Sequence, residues 1–103
     1  MAVRGYNGAV EYPYIVKTPG TCGGAPRLDG HRIRVSHIAA CSEKAGWSPE
    51  EIAQNFSLTL AEVHAALTYY FDHLEEIRAE WREAARRGEE IKKLFPPRLP
   101  QIA

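Results

Sequence analysis

Residues 46–71 constrain the fold of this chain more than any other segment, because two helix-start signals lie close together there. Ser48, Pro49 and Glu51 form a capping box with the proline at the first helical position, where its missing N–H costs nothing. A second box of the Ser/Thr-x-x-Glu type begins at Thr59. Because only two residues separate the predicted helices, the segment predicts a helix-turn-helix, whose best-known use places the second helix in the DNA major groove.

The whole sequence predicts a mainly α fold, with a short N-terminal β-hairpin followed by a helix-turn-helix three-helix unit and a long C-terminal helix. Residues 14–18 are rich in β-formers, and Asp29-Gly30 favours a type I′ hairpin turn between two short β-capable pieces. The predicted parts are a flexible N-terminal arm at 1–13, a β-hairpin plus helix-turn-helix domain at 14–73, a C-terminal amphipathic helix at 74–95 and an extended Pro-rich tail at 96–103.

Apolar residues recur at helical spacing and indicate which helix faces build the core. The first helix is predicted at Val35–Ala45, the second at about Pro49–Phe56 and the third from near Leu60, with a break or bend near Asp72-His73. Tyr69 is placed on the side of the third helix that faces away from the core. The predicted core positions are Val35, Ile38, Ala39, Ser42, Ala45, Ile52, Ala53, Phe56, Leu60, Val63, Leu67, Tyr70, Phe71 and Leu74.

The predicted C-terminal helix combines a mixed-charge face with an apolar stripe that contains Trp81 and Phe95. Both side chains are costly to leave exposed, and the helix extends beyond what a three-helix unit requires. We therefore expect the stripe to bury against another surface, either that of a partner or that of a second copy. Its members are Ile77, Trp81, Ala84, Ala85, Gly88, Ile91, Leu94 and Phe95.

The distribution of charge limits how the chain can bind nucleic acid. The formal net charge is zero, but residues 1–47 carry six Lys and Arg against three Asp and Glu, a net of +3, and no Lys or Arg lies between Lys44 and Arg78. Phosphate contacts dominate nucleic-acid affinity and require cations. Any DNA contact therefore needs cations from outside the predicted helix-turn-helix, most plausibly Arg27, Arg32 and Arg34, although three solvated surface arginines fit the same pattern.

Composition indicates one small soluble domain, with 103 residues of which 45% are hydrophobic and 25% charged. No apolar run approaches the roughly 18 residues of a membrane span, and the first residues lack the apolar core of a secretory signal. We therefore expect a cytoplasmic protein. Its two cysteines do not make a disulfide framework, so reduced thiols are expected.

An enzymatic reading rests on Cys22, which lies in a glycine-rich loop and has His31 or His37 as a candidate base. The sequence carries no nucleophile signature, and the favoured interpretation is that Cys22 is a small residue that fills a tight turn beside Gly23 and Gly24. The four histidines are dispersed, and there is no Cys-x-x-Cys or His-x-x-x-His pair. We therefore expect no enzyme activity, no metal and no cofactor.

Three sequence blocks resemble, in the same order, a family of small prokaryotic proteins first catalogued as a domain of unknown function. The blocks are CGGAPRLDGHRIRV at 22–35, GWSPEEI at 46–52 and TLAEVHAALTYYFDH at 59–73. The resemblance extends from about Ile15 to Ile77. Members often carry proline at the position of Leu74, so the break between the third and fourth helices stays open at this point.

The resemblance implies a homeodomain-like helix-turn-helix behind a short β segment, in an antitoxin that is paired with a PIN-like toxin nuclease. Such antitoxins resemble two-part regulators, which bind operator DNA as a dimer at one end and wrap the toxin with the other. The expected DNA-binding residues are Thr59, Ala61, Glu62 and Ala65 near base edges and Arg27, Arg32 and Arg34 on phosphates. The expected toxin-binding residues are Ile77, Trp81, Ile91, Leu94 and Phe95.

The first hypothesis is therefore a non-enzymatic antitoxin of a type II toxin–antitoxin pair, which also represses its own operon as a homodimer. The alternative is a protein-interaction or dimerisation module that does not bind DNA. The absence of Lys and Arg from residues 45–77 is the main support for this alternative.

Overall fold

The computed structural model describes residues 12–88, and the fold within them is mainly α behind a short N-terminal β-sheet, as predicted. No helix in this range is long and apolar enough to cross a membrane. The predicted tail at 96–103, the helix positions Ile91, Leu94 and Phe95, and the arm up to residue 11 lie outside the described residues. The elements are β1 Ile15–Val16, β2 Arg27–Leu28, α1 Val35–Glu43, α2 Pro49–Phe56, α3 Leu60–Asp72 and α4 Leu74–Arg86.

The β-sheet has a different pairing from the one predicted. β1 runs antiparallel to β2, with Ile15 opposite Leu28, whereas the segment after Asp29-Gly30 contributes only an isolated bridge between Arg27 and Arg34. The turn is not type I′, because Gly30 has φ 83° and Asp29 does not have the positive φ that type I′ also requires. The Asp29 N–H instead donates to the carbonyl oxygen of Tyr14, the residue just before β1, at 2.8 Å.

Both predicted capping boxes are present and fix where α2 and α3 begin. Ser48 Oγ accepts from the Glu51 N–H at 3.1 Å, and the Glu51 carboxylate accepts from the Ser48 N–H at 2.9 Å. Thr59 and Glu62 repeat this reciprocal pair with the same two distances. Between the helices, Ser57 ends α2 in the left-handed conformation with φ 58°, so α3 follows α2 after a tight turn.

The core lies where α3 packs against α1 and α2, with α4 closing it from the side of α1. Leu60 and Phe71 were predicted to be core residues, but their side chains are 44% and 56% exposed, whereas Tyr69 is only 6% exposed. The buried face of α3 is therefore rotated relative to the predicted one. In this orientation the Tyr69 hydroxyl donates to the Glu76 carboxylate of α4 at 2.7 Å. The largest fully buried side chains include Tyr70, Leu28, Ile38, Ile52, Ile77, Val35 and Val63.

The predicted break between α3 and α4 occurs at His73, which has φ −133° and ψ 48°. Its ring stacks on Tyr69 with centroids 4.1 Å apart, and Tyr12 packs edge-on against Tyr69 at 5.0 Å. The Tyr12 hydroxyl also donates to Asp72 at 2.8 Å. Tyr12 was assigned to a flexible arm, but these contacts tie it to the junction of α3 and α4.

α4 departs from the prediction in what part of its apolar stripe contacts. Within the described residues the helix ends at Arg86, and Gly88 follows with φ 86°. The predicted continuation from residue 89 to Phe95 lies outside the described residues. Ile77 is fully buried, Ala84 is 7% exposed, and the Trp81 Nε1–H donates to the Ser36 carbonyl oxygen of α1 at 3.2 Å. Ile77, Trp81 and Ala84 therefore pack against their own chain, whereas Ala85 and Gly88 are exposed. The assignment of Ile77 to a partner surface is wrong, because its side chain is fully buried in the core.

Candidate binding surfaces

The exposed side of α3 forms an uncharged surface, which we call the α3 face and define by Leu60, His64, Thr68 and Phe71. These residues recur at i, i+4, i+8 and i+11, so they lie within one narrow sector of the helix. All four are exposed, and Leu60 and Phe71 are two of the three exposed large hydrophobic residues in the described part of the chain. Leu60 and Phe71 lie near the two ends of the 13-residue α3, with His64 and Thr68 between them, so a partner that buries both side chains must cover most of the length of the helix.

The start of α3, where base contacts were predicted, presents a carboxylate. Thr59 and Glu62 bond to each other's backbone N–H, and the Glu62 carboxylate also lies 3.3 Å from His31 Nε2. The Thr59 N–H, assisted by His31, lowers the pKa of Glu62, so this side chain is held in its charged form. Ala61 is exposed and Ala65 is half-buried, and neither carries a polar group that could reach a base edge.

Arg27 was predicted to hold phosphate, but its guanidinium is engaged within the chain. It donates to the carbonyl oxygens of Leu28 and His31 at 3.2 and 2.9 Å and to the Thr18 hydroxyl at 2.9 Å. The side chain is half-buried under these contacts. Arg27 therefore stabilises the turn after β2 through its two terminal nitrogens, while its Nε is buried without a hydrogen-bond partner.

Arg32 and Arg34 meet in a cleft of about 380 Å³ between the Cys22–Gly24 turn, α1 and α4, which we call the Arg34 cleft. Arg34 lies 3.7 Å from the Glu80 carboxylate, and Arg32 is exposed. Burial raises the pKa of Glu80 although Arg34 and Ser36 oppose the shift, and one Glu80 oxygen is buried without a hydrogen-bond partner. The cleft is lined by Cys22, Arg32, Arg34, Ser36, His37, Glu80, Trp81, Ala84 and Arg87.

The two cysteines have different environments. Cys22 lines the Arg34 cleft together with His37, whereas His31 lies at α3, and the Cys22 thiol donates to the Arg32 carbonyl oxygen at 3.5 Å. Cys41 is buried, and burial raises its pKa to about 12. No three His, Cys, Asp or Glu residues within 12–88 are grouped so as to hold a metal ion.

A second cleft, of about 400 Å³, also has Trp81 among its lining residues, and we call it the Lys44 cleft. Lys44 Nζ lies 4.7 Å from the centroid of the Trp81 ring, a cation–π contact. This cluster was not predicted, because Arg78 and Arg82 lie among the residues of the mixed-charge face of the predicted C-terminal helix. Their i, i+4 spacing was the available signal. The cleft is lined by Lys44, Arg78, Trp81, Arg82 and Ala85.

The fold and these surfaces define a small, mainly helical domain with an N-terminal two-stranded sheet and binding clefts on the α1–α4 side. The family described as "Protein of unknown function (DUF433)" matches residues 15–70, which is more than half of the sequence, and the chain belongs to this family. A crystal structure of a DUF433 member protein from Anabaena variabilis ATCC 29413 is similar, at 35% sequence identity and a TM-score of 0.60. That similarity covers 65% of this chain and 66% of the other. A search of curated proteins found no match.

Proposed function

We propose that this protein is the antitoxin of a type II toxin–antitoxin pair and acts by binding a PIN-like nuclease through the α3 face. The observation that supports this most directly is the exposure of Leu60 and Phe71, at 44% and 56%, on the helix that follows the tight turn. Large apolar side chains in this position contribute to affinity when they are buried against a partner. The nature of the partner follows from the resemblance of the sequence to antitoxins.

The charges around α2 and α3 favour a protein partner over DNA as the main ligand of this surface. Glu51 and Glu62 cap the starts of the two helices, and Glu50 adds a third carboxylate in the first turn of α2. No Lys or Arg lies between residues 45 and 77 to offset them. Phosphates near the start of α3 would therefore meet negative charge where a DNA-binding helix needs cations.

The experiment that tests the proposal is co-purification of the tagged chain from its own cells, with the companion identified by mass. We expect a PIN-like nuclease in the complex, and we expect Leu60→Glu and Phe71→Glu each to release it, because a buried unpaired carboxylate is costly. Gln54→Glu is the matched control, since it adds the same charge at an exposed position on α2.

Three outcomes would contradict the proposal. Recovery of the chain alone as a tight homodimer would assign the α3 face to self-association. A nuclease that stays bound to both glutamate variants would exclude the α3 face as the binding surface. Loss of the nuclease from Gln54→Glu as well would show that added negative charge, and not the α3 face, causes its release. Circular dichroism of each variant distinguishes release by charge from release by unfolding.

A second candidate function, repression of the operon by a DNA-binding dimer, is supported by the tight turn between α2 and α3 and by the exposed Arg32. Each phosphate contact contributes about 0.9 to the slope of log affinity against log salt concentration. Contacts from Arg32 and Arg34 therefore predict a slope of about −1.8 per chain, and Arg32→Gln should reduce its magnitude by about 0.9. Binding that does not depend on salt would rule out phosphate contacts by these residues.

A further inference from the structure

Six cations line two clefts on the α1–α4 side of the molecule, three of them paired with carboxylates of α4, and the proposed antitoxin function uses none of the six. Trp81 is a lining residue of both the Arg34 cleft and the Lys44 cleft. With volumes of about 380 and 400 Å³, each is large enough to take a side chain of another protein. The cations of the two clefts are Arg32, Arg34, Arg87, Lys44, Arg78 and Arg82.

We propose that this side is a docking site for an acidic segment of a protein partner, which places one carboxylate in each cleft. A guanidinium group binds a carboxylate through two parallel N–H donors, and each cleft has at least one exposed arginine, Arg32 in the first and Arg78 in the second. The α3 face is not involved, so the inference stands independently of the proposed antitoxin function.

Trp81 gives the site its shape, and its ring is already engaged within the chain. Its Nε1–H donates to Ser36, Lys44 lies over its ring, and Tyr70 packs against it with centroids 5.7 Å apart. The ring is therefore a fixed wall shared by the two clefts. Nucleic acid bound as a single strand relies on stacking of bases on available aromatic rings, and this ring offers little surface for that.

Carboxylates between the cations also favour a short acidic segment over a phosphate backbone. Arg82 pairs with Glu75 at 2.6 Å, Arg87 with Glu83 at 3.5 Å, and Arg34 with Glu80 at 3.7 Å. A continuous line of phosphates would meet these carboxylates along its path. A peptide can place its own carboxylates only at the exposed cations and keep neutral residues beside the acidic ones.

Fluorescence anisotropy with a labelled peptide of alternating glutamate and leucine tests the inference, beside the same peptide with glutamine for glutamate and a labelled DNA duplex. We expect the glutamate peptide to bind wild-type protein, and Arg32→Gln and Arg78→Gln each to weaken binding by about five- to tenfold. Lys17→Gln removes the same charge from an exposed position outside both clefts, and we expect a change of less than about twofold.

Each alternative has its own result. Absence of glutamate-peptide binding, or equal binding of the glutamine peptide, overturns the inference. Duplex binding that is weakened by the same two arginine variants, without peptide binding, would make the surface a nucleic-acid site. A wild-type dimer that Arg32→Gln converts to a monomer would show that a second copy covers the clefts. Leu60→Glu should leave peptide binding unchanged, so failure here and failure of the proposed function are distinguishable.

Discussion

Ser57 has φ 58°, a left-handed backbone conformation that residues other than glycine adopt only with steric strain. It ends α2, and its N–H bonds back to the Ala53 carbonyl oxygen, so the conformation is required by the tight turn that precedes α3. Its side chain is exposed, and α3 begins three residues later. The turn is therefore maintained by the packing of the two helices it joins, at the expense of one strained residue.

Replacing Ser57 with glycine should stabilise the protein, because glycine adopts positive φ without steric strain. We expect the Ser57→Gly free energy of unfolding to rise by about 0.5–1 kcal/mol in urea denaturation. Ser57→Ala keeps the strain and loses only an exposed hydroxyl, so it is the matched control and should be close to wild type. A less stable glycine variant would mean that the greater entropy of its unfolded chain outweighs the relieved strain.

The predicted and observed roles of individual residues show which features the sequence can predict. The capping boxes at Ser48 and Thr59 follow from side chains three residues apart, so they could be read directly from the chain. Burial of Tyr69 depends on Glu76 in another helix, and the use of Arg27 depends on Thr18 in a different segment. Such contacts join residues in different elements across a turn or break, and periodicity within one element carries no information about them.

At the scale of elements, α3 is the helix on which both the fold and the proposed function depend. Its start is fixed by Thr59 and Glu62, and Glu62 also connects it through His31 to the turn that follows β2. Its end is marked by His73, whose ring nitrogen lies 3.1 Å from the Tyr69 carbonyl oxygen. The exposed α3 face is therefore held at both ends by contacts with other parts of the chain.

The lowered pKa of Glu62 predicts a pH dependence of stability. Because the folded-state pKa lies below the usual 4.5, the charged carboxylate stabilises the folded state above that pH, and this stabilisation is lost as the pH falls through the folded pKa. Glu62→Gln should lower the free energy of unfolding by about 0.5–1 kcal/mol at neutral pH. The difference in free energy of unfolding between this variant and wild type should become smaller at acidic pH.

Urea denaturation of both proteins at a series of pH values below neutrality measures this difference. Glu50→Gln is the control, because it removes an exposed carboxylate from the first turn of α2 and leaves both capping boxes intact. A constant difference between Glu62→Gln and wild type at every pH would show that the Glu62 charge does not contribute.

At the scale of the whole molecule, α4 belongs to the same packed unit as the other three described helices. Ile77 is fully buried, Trp81 bonds to α1, and Lys17 next to β1 pairs with Glu76 at 2.8 Å. Burial opposes ionisation of Glu76, yet hydrogen bonds from Lys17 and Tyr69 lower its pKa. The family match ends at residue 70, but the core continues into α4.

This placement predicts that truncating Ile77 destabilises the entire domain. Ile77→Ala should reduce the free energy of unfolding by about 2–5 kcal/mol, the range for removing a large buried aliphatic side chain. Ala79→Ser, at an exposed position on the same helix, should change it by no more than about 0.5 kcal/mol. Thermal unfolding followed by circular dichroism compares the two.

A small effect of Ile77→Ala would contradict the packing of α4 against α1 and would restore the interpretation of its stripe as a free surface. A second, separate unfolding transition in wild-type protein would contradict the single cooperative unit in a different way, because α4 would then melt apart from α1–α3.

The separation of charge within the described residues also gives the molecule an electric dipole. The charged side chains of α2 and of the first turn of α3 are all carboxylates, while the two clefts that share Trp81 are lined by six cations, three of which are paired with carboxylates. The electric field of a charged partner would therefore orient the protein during diffusional approach, so that the encounter complex forms preferentially through one side. This orientation raises the rate of association at low ionic strength and fades as the Debye length shrinks from about 10 Å at 0.1 M salt to about 3 Å at 1 M.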